Sequence, residues 1–164
     1  IAGDVDVLMI VHPHTLSEAT RYAIDQFVLR GGRTLVFVDP HSEAAQAGMS
    51  PFNPMAARPQ TASSLPELFA AWGVELVGGK VAGDLPFARR VQYRQQMRIL
   101  AADYPVWIDL PPSQFNQEEI ITAQLPNLTF ATAGILKKQD ESETEFIPLV
   151  ETDESAMKIG RAHV

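Results

Sequence analysis

Three histidines and an aspartate are the residues of this sequence that are best placed to do chemistry. His12 and His14 follow one apolar run, and Asp39 and His41 follow the next. Imidazole and carboxylate groups are suitable ligands for zinc and other divalent metals. If the two runs are neighbouring parallel strands, all four side chains leave the same edge of the sheet, where open α/β sheets usually bind ligands. This cluster is the candidate site for a ligand, a partner or a metal.

A simpler explanation of the same residues is also open. In the two stretches His-Pro-His and Asp-Pro-His, the proline ends the strand, and aspartate or histidine suits the turn that follows. The spacing matches no fixed pattern of metal ligands, so the sequence favours a site without a metal. The alternative hypothesis is a metal-dependent hydrolase or carbohydrate-binding domain that uses His12, His14, Asp39 and His41.

The first forty residues predict the strand, helix and strand that position this cluster. Val5–Val11 and Thr34–Val38 are short and rich in β-branched residues, as are strands that are buried on both faces. Between them, apolar residues recur every three or four positions, which is the period of an α-helix. Thr15 and Glu18 fit a capping box at its start, and two consecutive glycines fit its end. Strands joined by one such helix are parallel.

Later segments predict two short helices and several strands. Ser64 with Glu67, and Asn116 with Glu119, have the spacing of helix-capping residues. Strands are expected at Val74–Val77, Arg89–Arg94, Tyr104–Leu110, Leu128–Ala133 and Phe146–Val150. The polar segment Lys137–Glu145 is expected to be a solvated turn. Because strands and helices alternate, the predicted fold class is α/β, with three layers and a mainly parallel sheet that has helices on both faces.

Residues 41–63 are expected to form a long loop or lid. The segment contains three prolines and no sustained periodicity, and loops of this length are usually functional or disordered. It leaves the sheet at the same edge as the histidines. Met49, Phe52 and Met55 place apolar side chains where a loop should be in contact with water, which predicts a partner-binding surface. The segment is equally compatible with folding back on its own domain.

Composition and charge exclude several classes of function. The chain has 164 residues, of which 46% are apolar, and its net charge is −7. That charge, with Lys and Arg scattered along the chain, argues against a nucleic-acid or anionic-membrane surface. The absence of cysteine removes disulfides, thiolate metal sites and cysteine nucleophiles. Neither a G-x-S-x-G motif nor a glycine-rich phosphate loop is present, so no serine nucleophile and no cofactor are predicted.

Residues 1–164 are expected to form one α/β domain. No apolar stretch approaches the roughly 20 residues that span a bilayer. The sequence begins at Ile1 rather than at a methionine, and it enters a predicted buried strand almost at once. We therefore expect a fragment of a longer protein.

One long block of the sequence closely resembles the auxiliary component of gliding-motility-type ABC transporters. The block is Leu16–Glu43, LSEATRYAIDQFVLRGGRTLVFVDPHSE. Shorter blocks are similar to the same family in the same order: Leu65–Glu75, Tyr104–Leu110, Ile121–Gly134 and Phe146–Thr152. The resemblance covers most of the chain, and its first block is the most specific.

This resemblance implies a domain on the periplasmic face of the inner membrane, anchored by membrane helices elsewhere in the longer protein. It implies partners as well, namely an ABC permease and a separate ATPase subunit. The implied fold is similar to flavodoxin-like and glutamine-amidotransferase-like domains, although the amidotransferase cysteine has no counterpart here. The implied function is a non-catalytic accessory role in protein–protein interaction or substrate handling, without assigned catalytic residues.

Overall fold

The first strand, helix and second strand form as their sequence pattern predicts. In the computed structural model, which describes residues 1–47 and 60–160, these elements are β1 (Val7–Val11), α1 (Glu18–Leu29) and β2 (Arg33–Phe37). β1 and β2 pair in parallel, with Val7 opposite Arg33 and Val11 opposite Phe37. The prediction of a parallel pair joined by one helix is confirmed.

The two ends of α1 differ in how well they were predicted. The cap is Ser17, whose Oγ accepts a hydrogen bond from the Thr20 N–H at 3.2 Å. The predicted capping box that begins at Thr15 is therefore wrong, because the chain becomes helical two residues later than expected. The glycine stop is confirmed: Gly31 has a φ of 82°, and the Gly32 N–H donates to the Phe27 carbonyl at 2.9 Å.

The remaining elements of the described residues are mostly strands. The helical segments are α2 (Glu43–Ala47), α3 (Pro66–Ala71) and a single 3-10 turn at Pro112–Gln114. The strands are β3 (Val74–Leu76), β4 (Lys80–Gly83), β5 (Ala88–Gln95), β6 (Arg98–Leu110), β7 (Leu128–Ala131), β8 (Leu136–Lys138) and β9 (Met157–Gly160). Within the described ranges, no helix is long and apolar enough to cross a membrane.

These later strands pair antiparallel, so the predicted mainly parallel sheet is wrong. β3 pairs with β8, β4 pairs with β9, and β5, β6 and β7 form a three-stranded sheet. A parallel connection needs a crossover of a dozen or more residues, usually a helix. The only helix of that length in the described chain is α1, with 12 residues. The three-layer, flavodoxin-like or glutamine-amidotransferase-like arrangement is therefore contradicted.

Several local predictions for the later chain are also corrected. Leu65, not Ser64, occupies the position before α3, and it makes no side-chain cap. The Asn116 signal produces a turn rather than a helix, because its Oδ1 accepts the Glu118 N–H at 2.9 Å. In place of the strand predicted at Phe146–Val150, Val150 makes an isolated bridge. The predicted solvated turn loses its first residues to β8.

The chain divides into two compact units. The first comprises Ile1–Val77 and Leu136–Thr144, and the second comprises Gly78–Ile135 and Glu145–Val164. The first core consists of four buried residues: Ile24, Leu65, Leu68 and Phe69. The inner side chains of β1 and β2 pack against it. The second core is built on the buried end of β6: Ile108, Leu110 and Phe115.

Gly73, between α3 and β3, is predicted to be less replaceable than Gly31. It has a φ of 73°, and an added Cβ would lie 1.7 Å from Ser142 Oγ. Gly31 has a φ of 82° with nothing within 4 Å of an added Cβ. Both alanine variants incur a left-handed backbone cost of about 1–2 kcal/mol. We expect Gly73→Ala to lose about 1–3 kcal/mol more, in urea unfolding, because Ser142 must move. Equal losses in the two variants would contradict this packing.

Candidate functional site

The strand ends that carry the predicted cluster lie at one edge of the β1–β2 pair. Val11 is opposite Phe37, and the His12 N–H donates to the Phe37 carbonyl at 2.9 Å. The ladder therefore continues one residue beyond β1. His12 has a φ of 47°, which is uncommon for a residue other than glycine and turns the chain away from the strand. The predicted common edge is confirmed.

His12 and His14 contact each other at this edge. Their rings meet edge to face, with centroids 4.8 Å apart. His12 Nε2 is buried and has no hydrogen-bond partner in the described part of the chain. A buried polar atom without a partner costs about 1–3 kcal/mol. His12 Nε2 is thus buried and unpaired among the described residues, whereas His14 is exposed to solvent.

Asp39 and His41 belong to a network that stabilises the turn after β2. Asp39 Oδ1 accepts the His41 N–H at 2.8 Å. The Asp39 N–H donates to Ser63 Oγ at 2.9 Å, and the Ser63 N–H donates to the Asp39 carbonyl at 2.8 Å. His41 Nε2 hydrogen-bonds with Gln46 Oε1 of α2 at 2.9 Å. These side chains have structural partners within their own loop.

The four residues do not assemble into a metal site. Across residues 1–47 and 60–160, no group of three or more His, Asp or Glu side chains is arranged to hold a metal ion. Geometry therefore gives no support to the hypothesis of a metal-dependent hydrolase. A role for His12, His14, Asp39 and His41 in binding a ligand or partner stays a prediction.

A pocket of about 330 Å³, lined by both apolar and polar residues, opens beside His14. Its lining includes Arg21 from α1 and Glu67 from α3, whose Nε and Oε2 atoms are 2.7 Å apart. Arg21 Nη1 also donates to the Leu16 carbonyl at 2.8 Å. Both charges in this pocket are thus already paired with each other. The pair is partly exposed and is worth no more than about 1 kcal/mol.

Two residues on the polar side of α1 bind groups that follow much later in the chain. Arg21 pairs with Glu67, and Asp25 Oδ1 accepts from Trp72 Nε1 at 3.2 Å. Trp72 follows Asp25 by 47 positions. Helical periodicity assigns a residue to a face of its own helix, but it contains no information about such distant partners.

The outer face of the β1–β2 pair is apolar and open. Exposed and half-buried residues alternate along both strands, and the half-buried ones pack on the first core. The exposed side has accessibilities from 48% at Leu35 to 62% at Met9. We call this surface the open β1–β2 face, formed by Val7, Met9, Val11, Leu35 and Phe37. Parallel strands normally bury both faces, and the prediction that these strands would do so is wrong.

Part of the predicted lid can be compared with the structure. The segment that was expected to be a loop begins with the short helix α2, Glu43–Ala47. Met49, Phe52 and Met55 lie outside the described residues. The partner-binding surface that their apolar side chains indicate therefore stays a prediction.

The whole sequence, residues 1–164, matches the family described as an ABC-type uncharacterized transport system. The chain belongs to this family. Membership associates the domain with an ABC transport system, as an auxiliary component, and thereby with a membrane. No significant match was found among curated proteins or among solved structures.

Ser63 and Ser64 provide a matched test of the turn beneath the candidate site. Ser63 is 3% exposed, and its hydroxyl accepts from the Asp39 N–H. We expect Ser63→Ala to lower the free energy of unfolding by about 1–3 kcal/mol, because that N–H loses its acceptor. Ser64 is exposed and its hydroxyl makes no hydrogen bond in the described residues, so Ser64→Ala should stay within about 0.5 kcal/mol. A large loss of unfolding free energy in Ser64→Ala would instead support the predicted helix cap at Ser64.

Proposed function

We propose that this domain is a non-catalytic accessory component of an ABC transport system, and that it acts by binding another protein of that system. Family membership supports the association with transport. The open β1–β2 face is the observation that supports binding as its mode of action. It presents five large apolar side chains side by side on two paired strands.

Such a face is expensive to leave in contact with water. Burial of apolar surface contributes about 25 cal/mol per Å², so covering a few hundred Å² contributes several kcal/mol. Contiguous exposed apolar patches of this size usually mark interaction sites. The two strands are held from behind by the first core, so the face is presented as a rigid surface with little conformational entropy to lose.

The proposed partner is the permease subunit of the transport system, with ATP hydrolysed by a separate ATPase subunit. The block Leu16–Glu43 resembles the gliding-motility-type auxiliary components, and this resemblance supports a location on the periplasmic face of the inner membrane. The parent protein would be anchored through parts of its chain outside residues 1–164. No glycine-rich phosphate loop follows β1, which agrees with ATP hydrolysis by another subunit.

The strand-end residues have a secondary place in this proposal. Asp39 and His41 hold the turn at one end of the open face. His12 Nε2 lies buried at the same edge, without a hydrogen-bond partner among the described residues. The segment with Met49, Phe52 and Met55 follows α2 in the chain, and its apolar side chains would add to the same partner contact.

Charge on the open face is expected to prevent assembly. The test is the double variant Met9→Glu with Phe37→Glu in the full-length protein, co-purified with the permease and ATPase from membranes. Both side chains are more than half exposed, at 62% and 51%, so the fold should tolerate the change. Desolvating two unpaired carboxylates in an apolar interface costs several kcal/mol. We expect the permease to be lost from the purified complex.

Ile120→Glu is the matched control, because Ile120 is 91% exposed in the other unit. It should leave the complex intact. Permease recovery equal to that of the unchanged protein, in the double variant, would contradict the proposal. Light scattering of the isolated domain measures its molar mass and so tests whether the open face binds a second copy of the chain. If the unchanged chain dimerises and the double variant does not, the open face binds a second copy instead of the permease.

A further inference from the structure

The hairpin formed by β5 and β6 ends in a solvent-exposed segment. Gln95 pairs with Arg98 across its turn. Every residue from Gln92 to Ile99 is exposed, whereas Val91 and Leu100 are half-buried. The exposed segment thus comprises four residues of β5, the two turn residues and two residues of β6, and its four residues on β5 span about 14 Å at about 3.4 Å per residue. We call residues 92–99 the hairpin end.

The hairpin end is both basic and apolar. It contains Arg94 and Arg98 and no acidic residue. Its apolar side chains are 96% exposed at Met97, 66% at Ile99 and 46% at Tyr93. A methionine that is almost wholly exposed contributes nothing to a core, so the folding of this unit does not account for its position.

The arginines at the base of the hairpin and those at the hairpin end differ in their ion pairing among the described residues. At the base of the hairpin, Arg89 lies 3.4 Å from Asp109, and Arg90 lies 3.4 Å from Asp103. Neither guanidinium of the hairpin end forms an ion pair or hydrogen bond with a described residue. The positive charge of this surface is therefore free for an anionic occupant.

We propose that the hairpin end docks on anionic phospholipid headgroups of the membrane that holds the transport system. Arginine binds phosphate oxygens through two parallel hydrogen bonds. Tyrosine favours the membrane interface, and apolar side chains enter about 5–10 Å into the boundary between headgroups and acyl chains. A bilayer presents phosphates directly above an apolar layer, which matches arginines placed beside an exposed Met97.

The net charge of −7 does not prevent this contact. Electrostatic interactions in physiological salt are screened over about 8 Å. Asp103, the nearest acidic residue along the hairpin, is opposite Arg90, four positions before Arg94, which is about 14 Å along the strand. The charge of Asp103 is therefore largely screened at the hairpin end. Lys and Arg are scattered along the sequence, but the hairpin brings Arg94 and Arg98 together in a segment that contains no acidic residue.

This docking is independent of the proposed binding function. The open β1–β2 face lies in the first unit and the hairpin end lies in the second. Loss of vesicle binding would leave permease binding untouched, and the reverse also holds.

Sedimentation with lipid vesicles tests the inference. The protein is mixed with vesicles of phosphatidylcholine and phosphatidylglycerol in equal parts, and with vesicles of phosphatidylcholine alone. We expect binding to the anionic vesicles only. Each arginine at an anionic surface strengthens binding about fivefold, so Arg94→Gln with Arg98→Gln should weaken it about 25-fold. Met97→Ser should also weaken it, but without changing its salt dependence.

Arg30→Gln with Arg33→Gln is the matched control, because it makes the same change in net charge on exposed residues of the other unit. It should bind like the unchanged protein. An equal loss of vesicle binding in this control would show that the effect comes from net charge alone, and it would overturn the inference. Equal binding to both kinds of vesicle would overturn it as well. If the hairpin-end variants bind vesicles normally but lose an acidic protein partner, the occupant is that protein and not the membrane.

Discussion

One layer of helices can bury only one face of a two-stranded parallel sheet. In this chain, α1 and α3 supply that layer, and Ile24, Leu68 and Phe69 form the core beneath it. The side chains that point the other way have no covering element in the described residues, so a row of valine, methionine, leucine and phenylalanine is left in contact with solvent. The function that we propose follows from this one-sided burial, because a partner can cover the open β1–β2 face that the described elements leave exposed.

Asp39 and His41, two residues of the candidate cluster, make structural hydrogen bonds within the described residues. Asp39 and Ser63 exchange hydrogen bonds, and the Asp39 carboxylate holds the backbone of His41. These interactions fix the edge of the sheet instead of collecting ligands around an ion. His12, with a strained backbone and a buried nitrogen without a partner, is the residue of this edge that local structure does not explain.

What the sequence predicted correctly is local. The apolar period of α1 and the glycines after it depend on neighbours within a few residues. The direction of pairing depends on contacts distant in the chain: β3 finds β8, and β4 finds β9. An alternating strand pattern does not name its partner, so the predicted parallel sheet was extrapolated from one correct unit. At the candidate site, the sequence predicted correctly that the two strand ends share one edge. It did not predict that His12 and His14 would contact each other while Asp39 binds Ser63 and His41 binds Gln46. No sequence pattern marks Ser63 or Gln46 as such a partner.

The one-sided burial of β1 and β2 can be measured directly, because the chain has no cysteine. Single substitutions Met9→Cys and Ile10→Cys place a thiol on opposite faces of the same strand, and maleimide labelling reports the accessibility of each. The account predicts that the thiol at position 9 reacts many times faster in the isolated domain, and that its labelling slows when the permease is bound. Equally slow labelling at both positions in the isolated domain would mean that the face is already covered, and would contradict the account.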